Sequence, residues 1–233
     1  MYHSIMIGDK HTYEDWGLIP KTRPVFNPPV VKTQYVNVPG GDGQIDLTST
    51  LYGEPVYDMR TGSFEFYVEN GRDWTVVYST IMGYCHGQRL PIILDDDPNY
   101  FYEGRVSVNQ WRSDPNNSVI VIDALVDPYK YEVNSAGDSW LWDPFDFENG
   151  IIYTNEYTVS GTLTIDLECR RMRVSPTFTA NASGMKVTFD RKTYTLPVNT
   201  AKTLLDIRLS EGHNTLVLTG TGKVKVQYRN GVL

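Results

Sequence analysis

The chain has 233 residues, of which 40% are hydrophobic and 21% are charged. This balance excludes wholesale disorder, and the length suits one large domain or two ordinary ones that need no disulfide or metal for stability. The net charge of −7 argues against specific nucleic-acid binding, which usually needs a basic surface. The longest apolar run, Ser118–Val126, falls far short of the ~20 residues of a membrane helix, so we expect no membrane insertion. The first residues lack the pattern of a secretory signal, which favours synthesis in a reducing cytoplasm.

Most of the chain alternates between apolar and polar residues with a period of two. In Gly62–Glu69, Phe64 and Phe66 share one face and acidic residues the other. The runs 161–169 and 223–229 alternate in the same way. Such alternation is typical of antiparallel strands with one face on a core and one in water. It predicts a mainly β protein.

One segment has the spacing of a helix instead. Trp74, Val77, Tyr78, Ile81 and Met82 recur every three or four residues, which gives an amphipathic stripe. We predict a single helix over about residues 72–86, laid across one of the sheets.

The strand-like run Val119–Ile122 is apolar on both faces. Both faces of such a strand have to pack against other parts of the structure. The second face could pack against a second sheet, the helix or a neighbouring subunit.

A change of composition divides the chain near residues 131–137, where turn-forming residues begin. We predict an N-terminal β-sandwich domain over residues 1–132 and a C-terminal domain over 133–233, with an acidic, aromatic connector at 133–150. The C-terminal part contains about eight short predicted strands, a pattern typical of a β-sandwich. Within it, Gly220 and Gly222 favour a hairpin turn between Leu216–Leu218 and Val224–Tyr228.

Motifs of known chemistry are absent. The histidines are scattered, no nucleophile elbow or phosphate loop occurs, and Cys85 and Cys169 favour structural thiols. The Asp95–Asp97 run is either a solvated acidic turn or, less favoured, a calcium site. No residue is therefore assigned as catalytic, cofactor-binding or metal-binding, and no cofactor is expected.

Aromatic residues make up 12% of the chain. They could form a stacking platform for a sugar, or they could fill cores and subunit contacts, which we favour. The candidates for sugar or partner contact are Trp111, Trp140 and Trp142.

Several short segments, taken in order, resemble the distal tail protein of long, non-contractile-tailed (siphovirus-type) bacteriophages. These segments are Ile7-Gly8, Trp16-Gly17-Leu18, Pro39–Thr48, Arg60–Phe66, Leu94–Pro98, Tyr102–Val106, Asp127–Tyr131, Gly212–Leu216 and Gly220-Thr221-Gly222. Each is a weak motif alone, but together they span almost the whole chain. The connector around Trp140–Phe147 fits the family pattern least well.

The resemblance implies an N-terminal β-sandwich domain with one helix and a C-terminal galectin-like or carbohydrate-module-like β-sandwich. It also implies a non-enzymatic hub of the tail tip or baseplate: a hexameric ring, single or stacked, around the DNA channel. Such a ring would join the tail tube protein to a tail-associated lysin, fibre or receptor-binding protein. The expected location is the virion tail tip, after assembly in the host bacterial cytoplasm.

Two segments are candidates for the ring interface. The glycine-rich segment with Pro39, Gly40, Gly41 and Asp42 could reach a neighbouring subunit, although an ordinary hairpin turn is equally compatible. The second candidate is the two-faced apolar strand, comprising Val119, Ile120, Val121 and Ile122.

Two other functions compete with a structural hub. A carbohydrate-binding module contacting the host envelope would use the second sandwich and the tryptophans. An envelope-degrading glycosidase would need two carboxylates beside the scissile bond, but nothing in the sequence singles out a pair; Asp96 and Glu103 are examples of single acids whose replacement would test it.

Overall fold

The computed structural model describes residues 3–48, 50, 53–109, 119–133 and 156–233. The chain divides into two compact units between Lys130 and Tyr131. Both consist mainly of antiparallel strands. The predicted fold class, a mainly β protein of β-sandwich architecture with a helix in its N-terminal part, is confirmed.

The first unit is built on a curved antiparallel sheet with the strand order β2-β1-β7-β8-β9-β6-β3. Its strands are β1 (Ile5–Ile7), β2 (Lys10–His11), β3 (Leu18–Pro20), β4 (Tyr35–Asn37), β5 (Gln44–Asp46), β6 (Arg60–Val68), β7 (Arg89–Leu94), β8 (Tyr100–Val108) and β9 (Val119–Val126). Strands β4 and β5 pair only with each other among the described residues. They form a hairpin outside the main sheet.

The predicted helix is confirmed as α1 (Trp74–Cys85). Asp73 caps its amino end, since one carboxylate oxygen accepts hydrogen bonds from the backbone N–H groups of Thr75 and Val76. The buried face presents Val77, Ile81 and Cys85 to the apolar core of the first unit.

The backbones of the paired strands β8 and β9 approach closely where Gly104 stands opposite Val126. A Cβ atom added at Gly104 would lie 2.2 Å from the carbonyl oxygen of Leu125 and 2.4 Å from the Cα of Val126. Only glycine therefore allows this approach of the two backbones.

In the second unit, two long strands run side by side over the full length of the shorter one. Its strands are β11 (Glu156–Cys169), β12 (Thr177–Ala180), β13 (Lys186–Phe189), β14 (Lys192–Thr195), β15 (Lys202–Thr203), β16 (Gly212–Gln227) and β17 (Gly231–Val232), while β10 (Lys130–Glu132) begins at the division between the units. The order is β14-β13-β16-β12-β15, with β11 paired to the other side of β16. The expectation of uniformly short strands was therefore wrong for β11 and β16.

The predicted hairpin turn at Gly220 and Gly222 is also wrong. Both residues lie inside the continuous strand β16 and stay in register with β11. Their φ angles of +127° and +150° are open to glycine, and they bend the strand instead of reversing it. A Cβ atom at Gly220 would lie 2.7 Å from the sulfur of Met185, so a larger residue there would have to displace this side chain.

Candidate assembly surfaces

A long excursion separates β3 from β6 and carries the β4–β5 hairpin. We call residues 30–58 the arm. Its two sides join through the Val31–Tyr57 bridge and through the N–H of Asp58, which donates to the carbonyl oxygen of Val30 at 2.8 Å. Nearly every described arm residue is exposed, and Thr48 alone among them is buried.

The arm exposes an unusual amount of apolar side chain. Its exposed large hydrophobic residues are Val30, Val31, Tyr35, Val36, Val38 and Ile45. A two-stranded hairpin is marginal in water by itself, and clustered exposed apolar groups commonly mark a contact surface. The arm is therefore the best candidate in the first unit for a contact with another polypeptide.

The first predicted interface segment, Pro39–Asp42, forms the tip of the arm. All four residues are exposed, and Gly40 has a φ of +78°. The hairpin-turn alternative is thus correct locally, while a contact of this tip with a neighbouring subunit stays a prediction. The flanking strands, whose Tyr35, Val36 and Ile45 carry the apolar surface, were not predicted from the sequence. The run Tyr35–Val38, which is apolar at three of its four positions, was the available signal.

The root of the arm is firmly attached to the first unit. Phe26 stacks at 4.2 Å from the ring of Tyr102 and meets Phe64 edge-on at 5.2 Å. At the end of the arm, Tyr57 meets Tyr129 edge-on at 6.0 Å. The exposed hairpin consequently projects from an ordered base.

The second predicted interface segment, Val119–Ile122, belongs to β9, an interior strand between β6 and β8. Ile120 and Ile122 are buried in the core, whereas Val119 and Val121 are partly exposed. Of the predicted segment, only these two valine side chains are accessible to a neighbour, and a ring contact through them stays a prediction.

Each of the three carboxylates in the acidic turn Asp95–Asp97 contacts a basic side chain. Asp95 lies 3.2 Å from His11, and Asp97 lies 2.5 Å from the Nζ of Lys130. Asp96 lies 2.5 Å from both Arg23 Nε and His3 Nδ1.

Arg23 holds the pKa of Asp96 below its usual value, mainly through the hydrogen bond that its Nε–H donates to the Asp96 carboxylate.

No group of three or more histidine, cysteine, aspartate or glutamate residues suited to a metal occurs among the described residues.

The two carboxylates named as tests of a glycosidase each lie in an ion pair with an arginine. Asp96 is engaged by Arg23, and Glu103 by Arg89 at 3.1 Å. A shallow depression of about 340 Å³ lies on the outer sheet face and contains a single carboxylate, Asp123. It is lined by Asn27, Thr61, Gly62, Ser63, Arg105, Ser107, Asp123, Ala124 and Leu125.

The tryptophans considered for sugar contact, Trp111, Trp140 and Trp142, lie outside the described residues. Both cysteines are free and buried, as predicted. Burial raises the pKa of Cys85 to about 11 and that of Cys169 to about 12. Among the described helices, none is long and apolar enough to span a bilayer.

Comparison with known proteins identifies the fold. No protein-family model and no curated protein sequence matches the chain. Among solved structures, the chain has the fold of a bacteriophage hub protein. That structure is the crystal structure of the SPP1 Dit protein (gp 19.1), described as a paradigm of the hub adsorption apparatus in phages that infect Gram-positive bacteria. The TM-score is 0.62 at 12% identity, and the match covers 100% of both chains. The resemblance detected in the sequence is thus confirmed for the fold.

Proposed function

We propose that this protein is a non-enzymatic structural hub of a bacteriophage tail tip. The observation that carries the proposal is the fold match to SPP1 Dit over the whole of both chains. Because both units of the chain lie within the match, the proposal concerns the complete two-unit architecture and not one common β domain.

In this role, the protein forms a hexameric ring that joins the tail tube protein to a lysin, fibre or receptor-binding protein. The ring resides at the tail tip of the virion after assembly in the host cytoplasm. The exposed apolar arm supports this proposal, because a ring subunit needs a surface that is covered only on assembly. The net charge of −7 suits a channel that must let DNA pass without gripping its phosphates.

The decisive test is the state of the purified full-length protein, alone and mixed with the tail tube protein of the same phage. We expect annular particles with a central hole in negative-stain images, and a solution mass six times that of the chain or a multiple of it. A protein that stays monomeric in both samples would rule out the ring.

A further inference from the structure

Strand β11 has one long edge in the second unit that no other strand of the described residues pairs with. It pairs with β16 along its whole length, and no described strand pairs with its other side. Sheets usually protect such an edge by keeping it short or by placing proline or lysine in it. β11 has 14 residues and contains neither. Except for the carbonyl oxygen of Glu168, which accepts a hydrogen bond from the Tyr228 hydroxyl at 3.1 Å, its outer row of backbone N–H and C=O groups can therefore template another strand.

The regular part of this edge begins after a bend. Gly161 has a φ of +84° and stands opposite Gly220, so the strand changes direction there. We call the segment Thr162–Cys169 the docking edge. Its Ile165 and Leu167 are buried in the core, which fixes the face that the docking edge turns outward.

The outward face of the docking edge becomes acidic toward its carboxyl end. Thr162 and Thr164 are followed on this face by Asp166 and Glu168, all of them exposed. His213 lies opposite Glu168 and within 2.5 Å of Asp166, and it is the one ionisable residue of β16 opposite this segment. No lysine or arginine of β16 stands opposite this segment, so the carboxyl end of the edge is acidic, with Asp166 hydrogen-bonded to His213 and Glu168 exposed.

The amino end of β11 differs in charge. Glu156, before the bend, is paired with Lys223 at 2.6 Å. A partner strand that matches the docking edge therefore carries its positive charges at one end only, beside Asp166 and Glu168.

A second copy of the same edge is a poor partner. Antiparallel pairing of two docking edges would place Asp166 and Glu168 of each copy beside Thr162 and Thr164 of the other, where the carboxylates meet no positive charge. An unrelated strand with basic residues meets the same backbone groups and adds two opposite-charge pairs.

We propose that the docking edge binds an extended segment of another protein by β-strand addition. The segment adds as an antiparallel strand and places two basic side chains, two positions apart, beside Asp166 and Glu168. Backbone hydrogen bonds hold it, and the charges set its direction and register. The proposal is independent of ring formation by the first unit.

The test uses full-length protein and two fluorescent synthetic peptides. Both have an alternating threonine–valine sequence, with two alternate lysines near the amino end of one and two glutamates at the same positions of the other. We expect the lysine peptide to bind and the glutamate peptide to bind at least about tenfold more weakly. The double variant D166K/E168K should reverse this preference, whereas D206K, an exposed charge reversal elsewhere in the second unit, should leave it unchanged.

Amide hydrogen exchange then locates the bound peptide. Protection that appears in Thr162–Cys169 when the lysine peptide is added supports the proposal. Equal affinity for the two peptides, no binding of either, or protection elsewhere would overturn it. Protection of this segment in the free protein that disappears on dilution would identify a second copy as the occupant and would also overturn it.

Discussion

Arg60, the first residue of β6, donates its Nε–H to the carbonyl oxygen of Pro128 at 2.7 Å. The guanidinium carbon lies 5.6 Å from the centre of the Tyr102 ring, and the residue is only 7% exposed. Burial lowers the pKa of Arg60, but a guanidinium remains protonated at neutral pH. Through this hydrogen bond, the buried guanidinium links the start of β6, which follows the arm, to Pro128 near the end of the first unit.

Replacing Arg60 with methionine should test this connection. The variant keeps much of the side-chain volume but leaves the carbonyl oxygen of Pro128 without this donor, so we expect a loss of about 2 kcal/mol in the free energy of unfolding. Urea denaturation gives the value. Lys32→Met is the control, because Lys32 pairs with Asp58 at 3.2 Å with both side chains largely exposed. A destabilisation no larger than that of the control would contradict the assigned role of Arg60.

Two glycine substitutions should have opposite effects. Gly104→Ala forces a methyl group against the backbone of β9 and should cost about 3 kcal/mol or more. Gly83→Ala, on the exposed side of α1 with open space around it, should stabilise the protein by about 0.5–1 kcal/mol. Thermal unfolding of both variants against the parent measures the difference. Similar midpoints for the two variants would disprove the close approach of β8 and β9.

The regular elements were predictable where local pattern and final environment agree. The stripe from Trp74 to Met82 predicted α1 because one face of that helix does lie on a core. The alternation in Gly62–Glu69 predicted β6 for the same reason. At Gly220 and Gly222 the local signal favoured a turn, but pairing with β11 and contact with Met185 decided the outcome. Such long-range pairing is invisible in a short window of sequence.

The candidate surfaces were predictable only in part. The glycines at 40 and 41 indicated a turn, but nothing local showed that Tyr35, Val36 and Ile45 stay exposed instead of joining a core. The same limit applies to Val119–Ile122. Its composition showed two apolar faces, but not that the strand pairs with β6 along one edge and with β8 along the other. Exposure depends on where the rest of the chain packs.

The ion pairs of the acidic turn predict a pH dependence in the acid range. Because Arg23 lowers the pKa of Asp96 in the folded state, Asp96 contributes stability that is present above its unfolded pKa. This contribution is lost as the pH falls through the lower, folded pKa. We expect D96N to unfold with a smaller pH dependence below about pH 4, measured as the urea midpoint from about pH 2 to 6.

Arg23→Gln provides the matched test. It should move the pKa of Asp96 back toward its model-compound value of 3.8, which carboxyl NMR titration can follow. An unchanged Asp96 pKa in this variant would show that Arg23 is not the cause.

The two thiols should report global unfolding of each unit. Cys85 and Cys169 are buried, and their raised pKa values leave almost no thiolate at pH 8. A thiol reagent should therefore label neither residue in the native protein and both in urea. Single Cys→Ser variants assign each signal to its unit. Rapid labelling of either thiol under native conditions would contradict its burial.

The arm gives the most direct test of assembly by the first unit. Ile45 is 53% exposed on β5, so Ile45→Asp should cost the folded subunit little, but it would place a charge in any apolar contact that covers the arm. We expect a wild-type assembly at about 20 micromolar and a monomer for Ile45→Asp, measured by light scattering after gel filtration. Leu205→Asp is the control, because Leu205 is 71% exposed in the second unit and lies outside the arm. If Ile45→Asp assembles like the wild type while Leu205→Asp does not, the arm is not the assembly surface and the contact lies in the second unit.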